Sequence, residues 1–181
     1  MPECAAWWGG RSVRGFTMVE MMVTLLVLGI LLGIAVPSFR DASLSSRLTG
    51  YANDLVAGAQ IARSEAIKRN RTVTLCASQD GTSCAAAGVG WEVGWIILAP
   101  RPSTGAMDVV ERHPPLTDEF IITEAAGVTE LSFPATVVGV TPATFTVCRE
   151  TPVGKQEREV SVTLTGATAV EITENGECPP G

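Results

Sequence analysis

Three patterns of apolar and polar positions follow one another along this 181-residue chain. From Phe16 to Val36 the sequence reads FTMVEMMVTLLVLGILLGIAV, 21 residues with a single charge, Glu20. At 1.5 Å rise per residue a helix of this length spans about 32 Å, close to the ~30 Å hydrocarbon thickness of a bilayer. A helix apolar on every side belongs in a membrane or at the centre of a large protein, and a chain of this size seldom encloses one. Pro37 ends the run. Lacking an N–H, it predicts a helix kink or the exit from the membrane at that point.

Beyond Pro37 the pattern becomes amphipathic. Leu44, Leu48, Tyr51, Leu55, Ala59, Ala62 and Ala66 recur in steps of three and four, a helical stripe over residues 38–70. Arg47, Asp54, Arg63 and Lys68 fall largely off it. The small residues Ala59, Ala62 and Ala66 allow a sheet to approach closely. Lys68, Arg69 and Arg71 suit a helix C-terminus, with Asn70 as a left-handed cap. That role explains the basic cluster better than a ligand site does.

From Thr72 the period changes to two. Val73 and Leu75 alternate with Thr72 and Thr74. Further strands are predicted at Trp91–Leu98, Met107–Arg112, Glu130–Phe133, Thr144–Arg149, Glu157–Leu164 and Ala169–Thr173. Turn-rich breaks at Gln79–Gly81, Pro100–Gly105, Pro114–Pro115 and Thr165–Gly166 separate them. One long helix followed by short strands predicts an α+β body, the helix packed on an antiparallel β-sandwich or paired sheets.

Composition narrows the function. With 46% hydrophobic and 18% charged residues the chain is neither disordered nor strongly charged. Thirteen Lys+Arg against nineteen Asp+Glu give a net charge of −6, which argues against nucleic-acid binding over the whole surface. The single histidine, His113, makes His-rich metal sites and Ser–His–Asp catalysis poor readings. His113 precedes Pro114–Pro115 and reads as a loop residue. No serine stands in a Gly-x-Ser-x-Gly elbow, and no Gly-rich loop with lysine is present. Glu157 and Glu159 alternate with Arg158 and read as a solvated strand face. Trp91 and Trp95 read as core residues of a strand rather than as an aromatic platform for sugars or bases. The sequence therefore predicts no enzyme, no cofactor and no metal site.

Glu20 is the costly residue in the apolar run, by about 2.5–3.5 kcal/mol near mid-bilayer and less near an interface. Its surroundings account for it. Arg14-Gly15-Phe16-Thr17-Met18-Val19-Glu20 followed by an apolar run resembles the class III signal of type IV pilins and pseudopilins. The resemblance implies that a prepilin peptidase cuts after Gly15 and methylates the new N-terminus, Phe16. Glu20 then becomes the fifth residue, where the family has its glutamate. The new α-amino group of Phe16 can pair with Glu20 of a neighbouring subunit, neutralising both charges in an apolar filament core. A proline at the distance of Pro37 also fits that pattern. Gly90–Ile97, GWEVGWII, resembles a strand of the GspH/FimT (FimU-like) group of minor pilins and pseudopilins. A Cys and Asp-Gly loop often precedes that strand, as Cys76–Gly81 does here.

The resemblance divides the chain into a leader at 1–15, a transmembrane or filament-core helix at 16–37, an amphipathic helix at 38–70 and a β-rich extracytoplasmic domain at 71–181. Arg11 and Arg14 keep the leader cytoplasmic, which places the C-terminal domain in the periplasm. The implied partners are the prepilin peptidase, other minor pilins or pseudopilins, an inner-membrane assembly platform, and the lipid bilayer before assembly. The implied function is a minor pilin of a type IV pilus, in an initiation or tip complex; the alternative is a minor pseudopilin of a type II secretion system. A third alternative is DNA uptake. FimT-like pilins that bind DNA carry a Gly-Arg-x-Arg stretch, and the matching place here, Gly166-Ala167-Thr168-Ala169, lacks both arginines. Arg149, Lys155 and Arg158 are the C-terminal cations left to form a patch.

Cleavage after Gly15 also removes Cys4. Cys76, Cys84, Cys148 and Cys178 remain, and four cysteines outside the cytoplasm predict two disulfides among three connectivities. The preferred pairs are Cys76–Cys84, closing a short loop, and Cys148–Cys178, tying down the C-terminal tail. A zinc site is the rival reading, but no Cys-x₂-Cys pair supports it.

Overall fold

The structure, a computed structural model, describes residues 15–117, 119–136, 138–149 and 156–174. Two compact units divide between Asp41 and Ala42. A single helix, α1 (Met18–Arg69), begins in the first and ends in the second. It continues through Pro37, so the two expected segments form one helical element.

The first unit holds the apolar half of α1. Its large side chains are exposed throughout, from Met18 at 80% to Val36 at 45%. The mean hydropathy of its most apolar 18-residue window is 2.5, and none of that window is buried within the protein. Among the described residues this is one helix long and apolar enough to cross a membrane.

The second unit holds the packed half of α1 and eight strands. Leu48, Ala52, Leu55, Ala59, Ala62 and Ala66 are all buried to 2% exposure or less, with Leu44 and Tyr51 packed at the margin. All but Ala52 belong to the predicted stripe, and Ala52 joins it. Gly58 marks the closest approach, because a Cβ there would stand 3.3 Å from the Trp95 indole nitrogen and 3.6 Å from a Leu75 methyl. The helix ends as predicted. Asn70 adopts φ 49°, its N–H donates to Ile67 O and the Arg71 N–H donates to Ala66 O, the paired bonds of a Schellman cap.

The strands form two four-stranded antiparallel sheets. The first has the order β3-β2-β1-β5, from β1 (Val73–Ala77), β2 (Trp95–Pro100), β3 (Met107–His113) and β5 (Glu130–Phe133). The second has the order β4-β6-β7-β8, from β4 (Phe120–Glu124), β6 (Ala143–Arg149), β7 (Glu157–Val162) and β8 (Thr168–Thr173). Side chains from both sheets and from α1 share one core, in which Tyr51 meets Phe120 edge-on at 5.1 Å and Trp91 meets Phe145 edge-on at 4.9 Å. The α+β expectation therefore holds, a long helix with two antiparallel sheets.

Two strand expectations need correction. β4 was not predicted, because Phe120-Ile121-Ile122 gives three apolar residues in a row rather than an alternation. Trp91–Leu98 is not one strand: Trp91–Val93 form a 3₁₀ turn and β2 starts at Trp95. Gly94, at φ 98°, makes the break, and a Cβ there would lie 2.6 Å from His113 O.

Candidate functional site

The residues carrying the leader signature lie at the start of α1. Gly15, Phe16 and Thr17 precede the helix, and Met18 is its first residue. Helix starts leave four N–H groups without intrahelical partners, and lipid offers none. Here Thr17 acts as the cap. Its hydroxyl accepts the Glu20 N–H at 3.2 Å, and its carbonyl accepts the Met21 N–H at 3.1 Å. Thr17-x-x-Glu20 thus has the spacing of a capping box, with an acidic residue where the helix dipole favours one. Phe16 is 73% exposed and followed by a helix face with no partner among the described residues. This end of the molecule offers two things, a backbone segment ahead of the helix and a carboxylate on its first turn. Arg14 and the rest of the leader lie outside the described residues.

The cysteine expectations resolve in part. Cys76 and Cys84 form a disulfide with Cα atoms 5.5 Å apart. Within the loop it closes, Asp80 Oδ1 accepts the Thr82 N–H at 2.7 Å and the Ser83 N–H at 2.8 Å, and Oδ2 accepts the Ser83 hydroxyl. These donors, the Ser83 backbone N–H first, hold the Asp80 carboxyl well below the usual carboxylate range. Arg112 braces the loop from β3, donating to Gly81 O at 2.6 Å. Cys148 is disulfide-bonded and buried on β6. Its expected partner Cys178 lies outside the described residues.

Three other sequence readings can now be placed. Trp91 and Trp95 are 1% and 3% exposed, and the Trp91 indole N–H donates to Val128 O at 2.8 Å, so they are core residues. His113 is not a loop residue; it ends β3, stacks on Trp95 at 3.7 Å and faces Asp54 of α1 at 3.2 Å. Glu157 and Arg158 do not form a solvated face, being 1% and 3% exposed.

Arg158 alternates in phase with Val160 and Val162, but its guanidinium is directed to α1. It donates to Ser45 Oγ at 2.7 Å and to Thr49 Oγ1 at 3.1 Å, and to its neighbour Glu157 O at 2.8 Å. Burial pushes its pKa down. Arg158 is therefore unavailable for the cationic patch, and Lys155 lies outside the described residues. Sequence reasoning missed this residue because the two hydroxyls that receive it stand 109 and 113 positions away. Their i,i+4 spacing on α1 was the available signal.

Among the described residues no group of three or more His, Cys, Asp or Glu is placed to hold a metal ion.

The family described as Type II transport protein GspH matches residues 51–167, from the packed half of α1 to the turn before β8. The chain belongs to the GspH family. A second family description, the prokaryotic N-terminal methylation motif, matches residues 10–36 of this GspH-family chain. The Type II secretion system protein H of Pseudomonas aeruginosa is 36% identical over 70 residues, 39% of this chain and 41% of that protein. The type IV major alpha-pilin of Moraxella bovis is 38% identical over 48 residues, 26% of this chain and 30% of that protein. The matched stretches thus span well under half of these relatives. Among solved structures, the type IV minor pilin FimU of Pseudomonas aeruginosa has the same fold, with a TM-score of 0.55, 24% identity and coverage of 70% of this chain and 89% of that one. The minor pseudopilin EpsH from the Type 2 Secretion System of Vibrio cholerae matches with a TM-score of 0.50, 12% identity and coverage of 68% and 95%. The pilin-like fold and the family expected from the sequence are both borne out.

Proposed function

We propose that this GspH-family chain is a minor filament subunit of the pilin type, cut after Gly15 and N-methylated on Phe16. The observation that carries the proposal is the methylation-motif match on a helix whose apolar half is exposed, with no partner among the described residues. An apolar helix exposed on all sides needs lipid before assembly and other such helices after it. The precursor inserts with Arg11 and Arg14 on the cytoplasmic side, and the two-sheet body stands in the periplasm. A prepilin peptidase then frees the amino group of Phe16. That ammonium pairs with Glu20 of an adjacent subunit, so that neither charge is left alone in the apolar core and the axial register is fixed. Pro37 denies a helical donor to the Gly33 carbonyl and bends α1 near the end of the apolar half. The work is assembly and force transmission with other pilins or pseudopilins on an inner-membrane platform, and catalysis has no part in it.

The main reading places the subunit in a type IV pilus, in an initiation or tip complex. The second reading, a minor pseudopilin of type II secretion, is favoured by the family description and by the secretion-system relative. Deleting the gene separates them: loss of pili supports the first, and loss of protein secretion with pili intact supports the second.

The processing reading is tested by intact mass after expression with an active prepilin peptidase. The expected product begins at N-methyl-Phe16 and lies four mass units below its fully reduced value, corresponding to two disulfides. A product still beginning at Met1 overturns the proposal. Gly15→Ala should block cleavage. Glu20→Ala should be cleaved normally yet fail to enter filaments, and normal recruitment of that variant would exclude the charge pairing.

A further inference from the structure

A cavity of about 290 Å³ opens in the two-sheet body where the sheets part. Its walls come from the turn Gly88–Gly90, the 3₁₀ turn with Trp91 and Glu92, strand β4 with Ile121 and Glu124, and the segment 127–129 that leads into β5. Its volume sits at the lower limit for ligand pockets, large enough for one long side chain and too small for a nucleotide.

The charges of this cavity all have one sign. Glu92 and Glu124 line it, and among the described residues no lysine, arginine or histidine does. The two carboxylates are in different situations. Glu124 is fully engaged: Oε2 accepts the Ala126 and Val128 N–H groups at 2.9 and 2.7 Å, and Oε1 accepts the Thr144 N–H at 3.3 Å. It holds the β4–β5 turn together. Glu92 does no such work. Its carboxylate folds back over Gly90, and Oε2 is enclosed with no hydrogen-bond donor among the described residues. Gly90 makes this position possible, since a Cβ there would collide with that carboxylate. The Gly90 backbone itself, at φ −71° and ψ 165°, is extended and suits any residue.

An enclosed carboxylate oxygen without a donor has given up water for nothing in return, an unfavourable state. One-signed charge in a partly enclosed, low-dielectric cleft attracts the opposite sign. Among the other wall residues Trp91, Ile121 and Val128 are apolar, and Thr123 and Thr129 are uncharged. A cationic head on an aliphatic stem meets both requirements, and lysine and arginine side chains have this form. We infer that this cavity receives a lysine or arginine side chain of a partner protein, its ammonium or guanidinium pairing with the Glu92 carboxylate. On the filament reading the partner is a neighbouring subunit; the binding chemistry stands without that reading.

The test uses the full chain in detergent micelles with ¹⁵N-labelled tryptophan. The reporter is the Trp91 indole N–H, which is bonded to Val128 in the cavity wall. Nα-acetyl-lysine amide and Nα-acetyl-arginine amide are the probes, and Nα-acetyl-norleucine amide is the uncharged control. A saturable Trp91 shift with a Kd of roughly millimolar order is expected for a charged probe, and none for norleucine. Glu92→Gln keeps the shape and should weaken binding at least tenfold. Gly90→Ala displaces the carboxylate without straining the backbone and should do the same. No Trp91 shift, an equal response to norleucine, or undiminished binding by both variants overturns the inference. None of these outcomes depends on leader processing, so this test and the mass measurement fail separately.

Discussion

The two halves of α1 are built from opposite choices. From Met18 to Val36 most side chains are large and apolar, and these are exposed. From Leu48 to Ala66 the buried positions shrink to alanine along one stripe, and Gly58 takes the tightest place against Trp95 and Leu75. The packed half meets rigid strands at a fixed distance, so a methyl group is already enough. The apolar half meets no such surface among the described residues, and its composition supplies total apolar area. Helix propensity is similar in both; what differs is whether the partner is inside the molecule or outside it.

The largest break in this contrast comes from charging the apolar half. Leu26→Arg with Ile30→Arg should disfavour membrane insertion by about 5–7 kcal/mol and move the protein out of the carbonate-resistant membrane fraction. The near-UV circular dichroism of the body should not change. Next is the reverse error, bulk in the packed half. Ala62→Leu should destabilise the body by about 2 kcal/mol and lower its Tm by roughly 4–8 °C, whereas Leu28→Ala should leave that Tm unchanged. A Tm that responds equally to both would show that the halves are not distinct.

A smaller effect lies where the packed half ends. Asn70→Val places a β-branched residue at φ 49° and should lower stability by roughly 1–2 kcal/mol, while Asn70→Gly should not. Thermal melts of the two variants compare directly.

The smallest concerns acid. The backbone donors of the Cys76–Cys84 loop depress the Asp80 carboxyl, and Arg101 depresses Asp108. A depressed carboxylate contributes stability that is present above its unfolded value near pH 4 and is lost as pH falls through its folded one. The body should therefore melt lower at pH 3 than at pH 7, and Asp80→Asn should reduce that drop modestly, since the group is exposed. An identical drop in Asp80→Asn would remove this loop from the account.

Legibility in the sequence followed the range of the interactions. The apolar run, the alanine stripe and the Asn70 cap depend on neighbours three to five residues apart, and each was readable. Cys76–Cys84 closes a separation of eight and was readable too. The leader signature is a contiguous motif. Strand β4 was hidden because a strand bounded by a turn and covered on one side need not alternate. His113 and Arg158 were misplaced because their partners, Asp54, Ser45 and Thr49, stand 59 to 113 residues away. The acidic cavity escaped for the same reason: Glu92 and Glu124 share a wall only after the sheets pair.

Arg158 has a mechanical meaning as well. Apolar contacts between a helix and a sheet can slide, since one methyl replaces another at little loss. A guanidinium fixed to Ser45 and Thr49, one helical turn apart, cannot follow such a slide without losing both bonds together. Tension applied along α1 reaches the body as shear on this contact, and Arg158 behaves as a key set across the joint. The body is thereby coupled to its helix in position along the axis as well as in packing, and a load drawn through one is carried by the other.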